Sequence, residues 1–342
     1  MLSQKYLWLQ LAGVSMFAPE LPRSLLLVLG WLFDALLLAS VLQLLRDCWG
    51  LVMRGLSLSL GSGQLSSNCW AVVVMFCALT LSGYGLWAST VQAPAVKTTN
   101  ITLTKLPATL DGFKLVQLSD LHISAMTEVA QVEDLVMRVN ALQADVIVLT
   151  GDIIDGTPAN RWAALLPLRK LQARNGVYGV VGNHEYYSGV QSWLKAFERL
   201  GLKILVNEHV VLTSAGQQIV LAGTTDWSSA KFDEVPPDVV GALRGVPASA
   251  VKILLTHQPR GVAFNNAQQV DLQLSGHTHG GMVVGFAQLV ALFNEGYVSG
   301  LYQLGNLQLY VSNGTGLWSG FPLRLGVPAE ISQILLHSPQ QG

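Results

Sequence analysis

Long apolar runs occupy the first quarter of the chain. The stretch Ser24–Leu45 is apolar over about the ~20 residues that a helix needs to cross the hydrocarbon core of a bilayer, interrupted only by Asp34 and Gln43. A second stretch, Trp70–Ser89, has the same character and carries aromatic residues where interfacial anchors are expected. The pattern therefore predicts at least two transmembrane helices, at about residues 24–45 and 70–89.

Two shorter apolar stretches and one acidic residue complete this region. Tyr6–Phe17 is too short to cross alone and lacks a convincing cleavage site, which disfavours a signal peptide. Leu51–Leu60 is also short, and we expect it to lie at the interface or to re-enter the membrane. Asp34 lies within a predicted span, where a carboxylate can mark an ion path. Because no second ionisable residue could relay a proton, we favour the interpretation that Asp34 faces another helix or a polar pocket.

The hydrophobic pattern changes after Val91–Thr99, a segment with linker character. Short apolar runs of strand length now alternate with stretches of helical spacing. The predicted strands are Phe113–Leu118, Asp145–Leu149, Val177–Val181, Ile219–Ala222, Val251–Leu255 and Leu272–Leu274. The predicted helices are Glu128–Leu142, Arg161–Gln172 and Gln191–Leu200. This alternation, followed by a strand-rich second half, predicts an α/β or mixed layered fold, with a membrane region over 1–90, a linker over 91–100 and a second domain over 101–342.

Composition and charge narrow the candidate functions. Charged residues make up 12% of the 342 residues, about half of the ~25% usual in soluble proteins, and the mean hydropathy is +0.42. Only seven charged residues precede Val91, so the hydrophobic excess belongs to the N-terminal quarter. A net charge of −1 without a basic run disfavours nucleic acid as a partner. The three cysteines, all in the first quarter, have neither metal-site nor disulfide spacing.

Ligand-type side chains follow five of the predicted strands, and strand ends are where sites are assembled in sheets of this kind. QLSDLHIS supplies Asp120 and His122, and VLTGDIIDG supplies Asp152 and Asp155. VVGNHEYY supplies Asn183 and His184, and ILLTHQP supplies His257. LSGHTHGG supplies His277 and His279. In an extended backbone, residues two apart point to the same side. We therefore expect Asp120 with His122, and His277 with His279, each to aim at one point.

Seven of these side chains form a candidate ligand set for metal ions. They are Asp120, His122, Asp152, Asn183, His257, His277 and His279. Carboxylate, amide and imidazole donors without a thiolate suit hard to borderline cations such as Mn²⁺, Fe or Zn²⁺. Seven ligands are more than one ion needs and fit two ions that share a carboxylate. Two ions roughly 3.5–4 Å apart activate water and stabilise both the attacking and the leaving oxygen in a displacement at phosphorus.

Each of these segments is common when it occurs alone. An isolated D-x-H or G-D at a strand end is usually a turn or a cap, and a lone histidine such as His257 is more often a core residue. The hypothesis depends on all five segments occurring in order, each after an apolar strand.

The ordered set resembles the calcineurin-like metallophosphoesterase family, whose pattern is D-x-H, G-D, G-N-H-[DE], H and G-H-x-H. All five blocks are intact, and the resemblance extends from about Ile101 to His337. The chain is most similar to the membrane-attached bacterial branch, through GHTHGG and the later SNGTGLW and PLRLGVPAEI. The resemblance implies a four-layer α-β-β-α sandwich, in which two β-sheets pack face to face between helices.

The resemblance also implies a role for each residue. The first ion would be held by Asp120, His122, Asp152 and His279. The second ion would be held by Asp152, Asn183, His257 and His277, which makes Asp152 the bridge. His184 would not be a ligand; it would bind the developing charge and protonate the leaving oxygen, with Asp155 fixing its tautomer. Glu185 would shape the turn.

One position departs from the serine/threonine protein phosphatases of this family. Those enzymes carry an arginine after the second aspartate of the GDIIDG segment, to grip a phosphomonoester, whereas this chain has Gly156 and Thr157. The difference disfavours a protein phosphatase and favours phosphodiester or pyrophosphate substrates. We expect the loops Ser228–Pro237 and Val283–Gly300 to set specificity.

The sequence supports one leading hypothesis over two others. The first is a membrane-anchored dinuclear phosphohydrolase, for which tethering favours the ester of a lipid or of a lipid-linked nucleotide. The alternative is a catalytically silent scaffold at the membrane, but such relatives lose ligands or the equivalent of His184, and none is missing here. A transporter centred on Asp34 has too few spans. The basic residues that flank the spans are balanced and leave the orientation open, while the resemblance favours an extracytoplasmic catalytic domain.

Overall fold

Two antiparallel helices begin the part of the chain that the structure, a computed structural model, describes, which is residues 20–56 and 67–339. The helices are α1 (Arg23–Gly55) and α2 (Ser67–Val91). The indole N–H of Trp31 donates to the carbonyl of Leu79 at 2.9 Å, and that of Trp70 donates to the Gln43 side chain at 3.3 Å. Both helices are long and apolar enough to cross a membrane.

The helices contain the two predicted spans and extend beyond them. Of the stretch Leu51–Leu60, for which we expect an interfacial or re-entrant position, residues 51–55 continue α1. No proline interrupts the chain there, and a short apolar run directly after a helix can prolong it. Residues 57–66 and the stretch Tyr6–Phe17 lie outside the described residues.

The rest of the chain folds into strands and shorter helices. The strands are β1 (Ala95–Thr102), β2 (Phe113–Leu118), β3 (Val146–Thr150), β4 (Val177–Val180), β5 (Lys203–Ile204), β6 (Glu208–Ser214), β7 (Gln217–Gly223), β8 (Val251–Leu255), β9 (Leu272–Ser275), β10 (Gly300–Leu304), β11 (Leu307–Val311) and β12 (Glu330–His337). The helices are α3 (Val129–Ala141), α4 (Pro158–Leu165), α5 (Asn183–Tyr187), α6 (Val190–Leu200), α7 (Val239–Ala242), α8 (Val262–Ala267) and α9 (Ala287–Ala291).

The strands form two six-stranded sheets. The first has the order β1-β12-β2-β3-β4-β5, and the second has the order β10-β11-β9-β8-β7-β6. Within them β2 to β5 run parallel, as do β7, β8, β9 and β11. Strands β3 and β8 are buried at every position, as expected for parallel strands covered on both faces.

The two sheets pack face to face. Leu115 of β2 and Val148 of β3 lie in one buried cluster with Ile253 of β8 and Leu274 of β9. Alternate residues point to the outer faces, where helices cover them. The outer cluster of the first sheet includes Val116, Ile147, Val136 and Phe197. The outer cluster of the second sheet includes Leu254, Leu309, Val262 and Ala242. The four-layer α-β-β-α sandwich that the resemblance implied is confirmed.

Two predicted segments differ from the structure. Most of the predicted linker is strand β1, which pairs in parallel with β12 at the edge of the first sheet. An edge strand has one partner and keeps polar side chains in water, so it lacks the apolar run that identifies a buried strand. The predicted helix Arg161–Gln172 is divided into α4 and a 3₁₀ turn at Leu166–Lys170. Pro158 begins α4, and Pro167 cannot continue it because proline lacks the N–H donor.

The helix pair packs against loops of the sheet domain. Leu38 of α1 and Ala78 of α2 cluster with Met282, Val283 and Leu323. Nearer the start of α1, Leu26 and Leu86 cluster with Met126. Asp34 is buried on the same stripe of α1, one turn before Leu38.

Candidate functional site

Five loops at the carboxyl ends of β2, β3, β4, β8 and β9 converge at one end of the two sheets. They bring together all nine predicted site residues, which are Asp120, His122, Asp152, Asp155, Asn183, His184, His257, His277 and His279. All nine are buried or half-buried. The order of the sheet explains the convergence, because parallel neighbouring strands end at the same edge.

The first cluster contains Asp120, His122 and His279. The Nε2 atoms of His122 and His279 are 3.1 Å apart, and Nε2 of His279 lies 3.4 Å from Oδ1 of Asp120. Two imidazole nitrogens at this distance cannot both direct lone pairs at each other, so a proton or a cation must lie between them. The cluster is therefore suited to holding a metal ion.

The second cluster is built around His257. Its Nε2 atom lies 3.2 Å from Oδ2 of Asp152, 3.1 Å from Oδ1 of Asn183 and 3.2 Å from Nδ1 of His277. Its Nδ1 atom donates to the carbonyl of Thr150 at 2.8 Å, which directs Nε2 into the cluster. Carboxylate, amide oxygen and imidazole again converge on one point.

Asp152 lies between the two clusters. Its Oδ2 atom is 3.2 Å from Nε2 of His257 and 3.8 Å from Nε2 of His122. Its Oδ1 atom accepts a hydrogen bond from the backbone N–H of His184 at 2.9 Å, which fixes the carboxylate plane. A single carboxylate within reach of both clusters makes the site suited to two metal ions.

Three ligands, Asp120, His277 and His279, are in protonation states that suit cations. Burial lowers the pKa of His277 to about 3 and that of His279 to about 4, so both imidazoles are neutral. Burial acts to raise the pKa of Asp120, but interactions with His279 and His257 together outweigh burial and hold the pKa below its usual range. Neutral imidazole and ionised carboxylate are the forms that bind metals.

His184 forms a third group with Asp155 and His122. Oδ1 of Asp155 accepts from Nδ1 of His184 at 2.6 Å and also lies 3.1 Å from Nδ1 of His122. Nε2 of His184 lies 3.8 Å from Oδ2 of Asp152. Asp155 thus holds two imidazoles by the same atom and leaves both Nε2 atoms directed at the clusters.

A cavity of about 330 Å³ opens beside this arrangement. Its walls include Asp152, Asn183, His184, His277 and His279, together with Tyr187, Thr278, Met282, Val290, Phe293, Asn294 and Trp318. A small phosphoester could therefore reach both clusters and His184 from one side.

Comparison with known proteins identifies the family of this chain. Residues 113–281 match the family described as Calcineurin-like phosphoesterase. A Helicobacter pylori protein named "Uncharacterized metallophosphoesterase" is 37% identical over 268 residues, which cover 77% of this chain and 70% of that protein. This chain belongs to the calcineurin-like phosphoesterase family. The family membership predicted from the five motifs is thereby confirmed.

Two further members of the calcineurin-like phosphoesterase family extend the comparison. The Bacillus subtilis protein "Uncharacterized metallophosphoesterase YkuE" is 32% identical over 270 residues, covering 76% of this chain and 92% of that protein. The Bos taurus protein "Transmembrane protein with metallophosphoesterase domain" is 35% identical over 259 residues, covering 72% of this chain and 58% of that protein.

The phosphoesterase site has an unusual backbone. Five of its residues have positive φ angles, and these are Asp120 (52°), His122 (44°), Asp152 (50°), His277 (71°) and His279 (51°). Such angles are uncommon for residues other than glycine and cluster at functional sites. We expected the residues of each D-x-H and H-x-H pair to point to the same side because the backbone is extended. The positive φ angles show that the backbone at these residues is not extended, so this reason is wrong. Asp120 and His122 do meet, but His277 and His279 turn to different clusters.

Two glycines allow the loops to approach closely. A Cβ atom at Gly182 would lie 2.3 Å from Oδ1 of Asp152, and one at Gly276 would lie 2.2 Å from Oδ2 of Asp120. Real Cβ atoms do not approach oxygen this closely, so only glycine fits at either position.

Glu185 connects the loops behind the site. Its carboxylate accepts from the backbone N–H groups of Gly182, Asp152, Ile153 and Ile154 at 2.7 to 3.1 Å. Burial and the charge of Asp152 raise its pKa to about 8, against the effect of the backbone donors. These contacts join the second loop to the third, in agreement with the structural role expected for this residue.

Three residues of the site were not predicted from the sequence. Ser319 donates to Oδ2 of Asp155 at 3.2 Å, and Trp318 packs its ring edge-on to His184 at 5.9 Å between ring centroids. Arg324 lies behind His279, with its guanidinium 3.4 Å from Nδ1. All three come from the segment after β11, where no motif marks them; only the tail shared with the membrane-attached branch pointed to this segment.

Proposed function

We propose that this chain is a dinuclear metal-dependent phosphohydrolase that is anchored in a membrane and cleaves a phosphodiester or pyrophosphate bond. The observation that carries the proposal is the position of His184. It is fixed through Nδ1 by Asp155, directs Nε2 towards the shared carboxylate of Asp152, and forms part of the cavity wall.

The residues would divide the work as follows. One ion would be held by Asp120, His122, Asp152 and His279. The other would be held by Asp152, Asn183, His257 and His277. When bound, the two ions would supply Lewis acidity, which activates water and neutralises charge on the phosphoryl oxygens. His184 would donate its Nε2 proton to the leaving oxygen, and Asp155 would keep that nitrogen protonated and aimed at the cavity.

The charges around the cavity favour a diester over a monoester. Among the residues that the structure describes, no lysine or arginine lines the cavity. Two arginines lie close to the site but outside the cavity wall. Arg161 donates to the carbonyl of Asp155 at 2.8 Å and pairs with Glu20, and Arg324 lies behind His279, with its guanidinium 3.4 Å from Nδ1. Without a guanidinium in the cavity, a substrate with one negative charge on the reacting phosphorus is easier to neutralise than a dianion.

The membrane anchor is supported by two observations. Helices α1 and α2 have apolar stretches long enough to cross a bilayer, and the related Bos taurus protein is named as a transmembrane protein. We propose that both helices cross the membrane, and that the catalytic domain lies on the extracytoplasmic side, which only the sequence resemblance favours. Tethering near a bilayer makes the ester of a lipid or of a lipid-linked nucleotide the substrate of choice.

A hydrolysis panel tests this function. Purified protein should be assayed on a phosphodiester, a pyrophosphate and a monoester with Mn²⁺, Zn²⁺ and Mg²⁺ in turn. We expect diester or pyrophosphate hydrolysis that His184→Ala abolishes while metal content is retained. His337→Ala, at a histidine far from the cavity on β12, is the matched control and should leave activity unchanged. A catalytically silent scaffold would bind metal but show no hydrolysis for His184→Ala to remove.

A further inference from the structure

An uncharged segment lies beside the mouth of the site. Residues 282–293 read MVVGFAQLVALF and contain no charged side chain. Four of the apolar side chains face solvent in the structure, with exposed fractions of 70% for Val284, 57% for Leu289, 78% for Leu292 and 67% for Phe293. Contiguous exposed apolar surface of this kind usually marks an interaction site. We call these four residues the apolar rim.

The apolar rim is continuous with the helix pair. Met282 and Val283, which begin the same segment, cluster with Leu38 of α1 and Ala78 of α2. Phe286 packs against this cluster as well. One end of the segment is thus held against the helices, and the other end is left exposed.

The contacts that loops of the sheet domain make along α1 fix how deep residues 282–293 would lie in a bilayer that α1 crosses. Pro322 packs so closely on α1 that a Cβ at Gly30 would lie 2.5 Å from its Cγ atom, and the contacts with Leu26 and Leu38 lie on the same stripe. From Leu26 to Leu38 the helix rises about 18 Å, which is more than half of a hydrocarbon core of ~30 Å. If α1 crosses the membrane, the loops that cover this stripe lie at the level of the bilayer.

The same segment forms part of the cavity wall. Met282, Val290 and Phe293 line the cavity together with His184. Leu289 and Leu292 lie on either side of Val290, with their side chains directed outwards. A molecule that reaches the site past this wall crosses an apolar surface first.

We propose that the apolar rim inserts into the lipid bilayer and that the site takes its substrate from there. The substrate class is an amphiphile in which a phosphodiester or pyrophosphate joins a polar group to acyl or alkyl chains. The chains would remain along Leu289 and Leu292 while the phosphorus reaches the metal clusters. This inference rests on the proposed function and on the membrane anchor proposed with it.

The depth of the apolar rim can be measured directly. The full-length chain, with Cys48, Cys69 and Cys77 changed to Ala, would carry a nitroxide label at Leu292→Cys in vesicles of phosphatidylcholine and phosphatidylglycerol. We expect the label to be accessible to oxygen, which partitions into lipid, and protected from an aqueous nickel complex. A label at Val240→Cys, an equally apolar exposed position on α7, should show the reverse. A Leu292 label open to water, or one shielded from both reagents as by a protein partner, would overturn the proposal.

A matched pair of substrates tests the route to the site. The p-nitrophenyl hexadecyl and p-nitrophenyl ethyl phosphodiesters undergo the same reaction and differ only in the alkyl chain. We expect a higher kcat/KM for the hexadecyl diester in vesicles, and a loss of about tenfold for this diester alone in the Leu289→Glu, Leu292→Glu double variant. Val240→Glu should change neither rate.

The outcomes separate the two levels of the proposal. Hydrolysis of neither diester, together with no hydrolysis of the pyrophosphate in the panel above, would overturn the proposed function itself. Equal kcat/KM values for the two diesters, with no change in the double variant, would support the proposed phosphohydrolase activity and overturn the role of the apolar rim.

Discussion

Oδ1 of Asp155 lies 2.6 Å from Nδ1 of His184, closer than the 3.1 Å that separates it from Nδ1 of His122. Asp155 itself is fully buried, and Ser319 donates to its other oxygen at 3.2 Å. The carboxylate therefore has little freedom to rotate. A proton donor held in this way keeps its Nε2 nitrogen aimed at the cavity without a loss of rotamer entropy at each turnover.

The substitution Asp155→Asn tests this positioning role. An amide carries no charge to stabilise the imidazolium and can turn either N–H or oxygen towards Nδ1, so we expect kcat to fall by about 10 to 100-fold. Because Asp155 also lies 3.1 Å from Nδ1 of His122, a proposed metal ligand, kcat is compared at saturating Mn²⁺ and expressed per bound ion. Asp111→Asn is the control; this exposed aspartate precedes β2 and contacts His337 at the end of β12. Loss of metal with unchanged kcat per bound ion would contradict the assignment.

The pH dependence of the rate should report His184. Burial acts to lower its pKa, but the charges of Asp152 and Asp155 outweigh burial and raise the pKa to about 9. Cations bound by Asp152 would act to lower this pKa again. An acid must be protonated to act, so the rate should fall as the pH rises through the pKa that His184 has in the metal-loaded site. In Asp155→Asn one of the two charges is lost, and the alkaline limb of the pH–rate profile should move to lower pH. An alkaline limb that stays in place would exclude His184 as the donor.

Metal binding should release protons. Burial acts to lower the pKa of His257, but the neighbouring carboxylates, Asp152 foremost, outweigh burial and raise the pKa well above its usual value, which favours the protonated imidazole before an ion binds. A metal needs the neutral form, so binding expels the proton and affinity weakens as the pH falls. Calorimetric titration with Mn²⁺ in two buffers of different protonation enthalpy measures the release. Equal heats in both buffers would contradict a ligand role for His257.

The close approach at Gly182 can be tested by adding one methyl group. In Gly182→Ala the new Cβ would lie 2.3 Å from Oδ1 of Asp152, so the carboxylate or the loop must move. We expect metal affinity to fall by about 10 to 100-fold, as for other changes that shift a ligand's support. Gly50→Ala, where a Cβ meets nothing within 4 Å, is the control. Normal metal binding in Gly182→Ala would show that the loop can move without disturbing Asp152.

The buried strands and the assembly of the site could be predicted because their signals are local. Phe113–Leu118 and Val251–Leu255 have the predicted boundaries, since continuous apolar runs between polar residues identify parallel strands covered on both faces. The nine site residues follow such strands, so their meeting at one edge also follows from the pattern. The backbone that aims them could not be predicted, because the positive φ angles of His277 and His279 arise from tight loops and leave no hydrophobic period.

The remaining differences come from contacts that are distant in sequence. Strand β1 has exposed polar residues and is defined by pairing with β12 at the other end of the chain. Ser319 and Arg324 reach the site from a loop that the helix pair holds in place through Leu323. Nothing local distinguishes this serine and this arginine from surface residues, so sequence patterns could not identify them.

The number and position of the metal ions test the central claim most directly. Crystals of the protein loaded with Mn²⁺ should be measured at a wavelength where manganese scatters anomalously. We predict two anomalous peaks on either side of Asp152, one against His122 and His279 and the other against His257 and His277. A single peak, or peaks away from Asp152, would contradict a dinuclear site that shares this carboxylate.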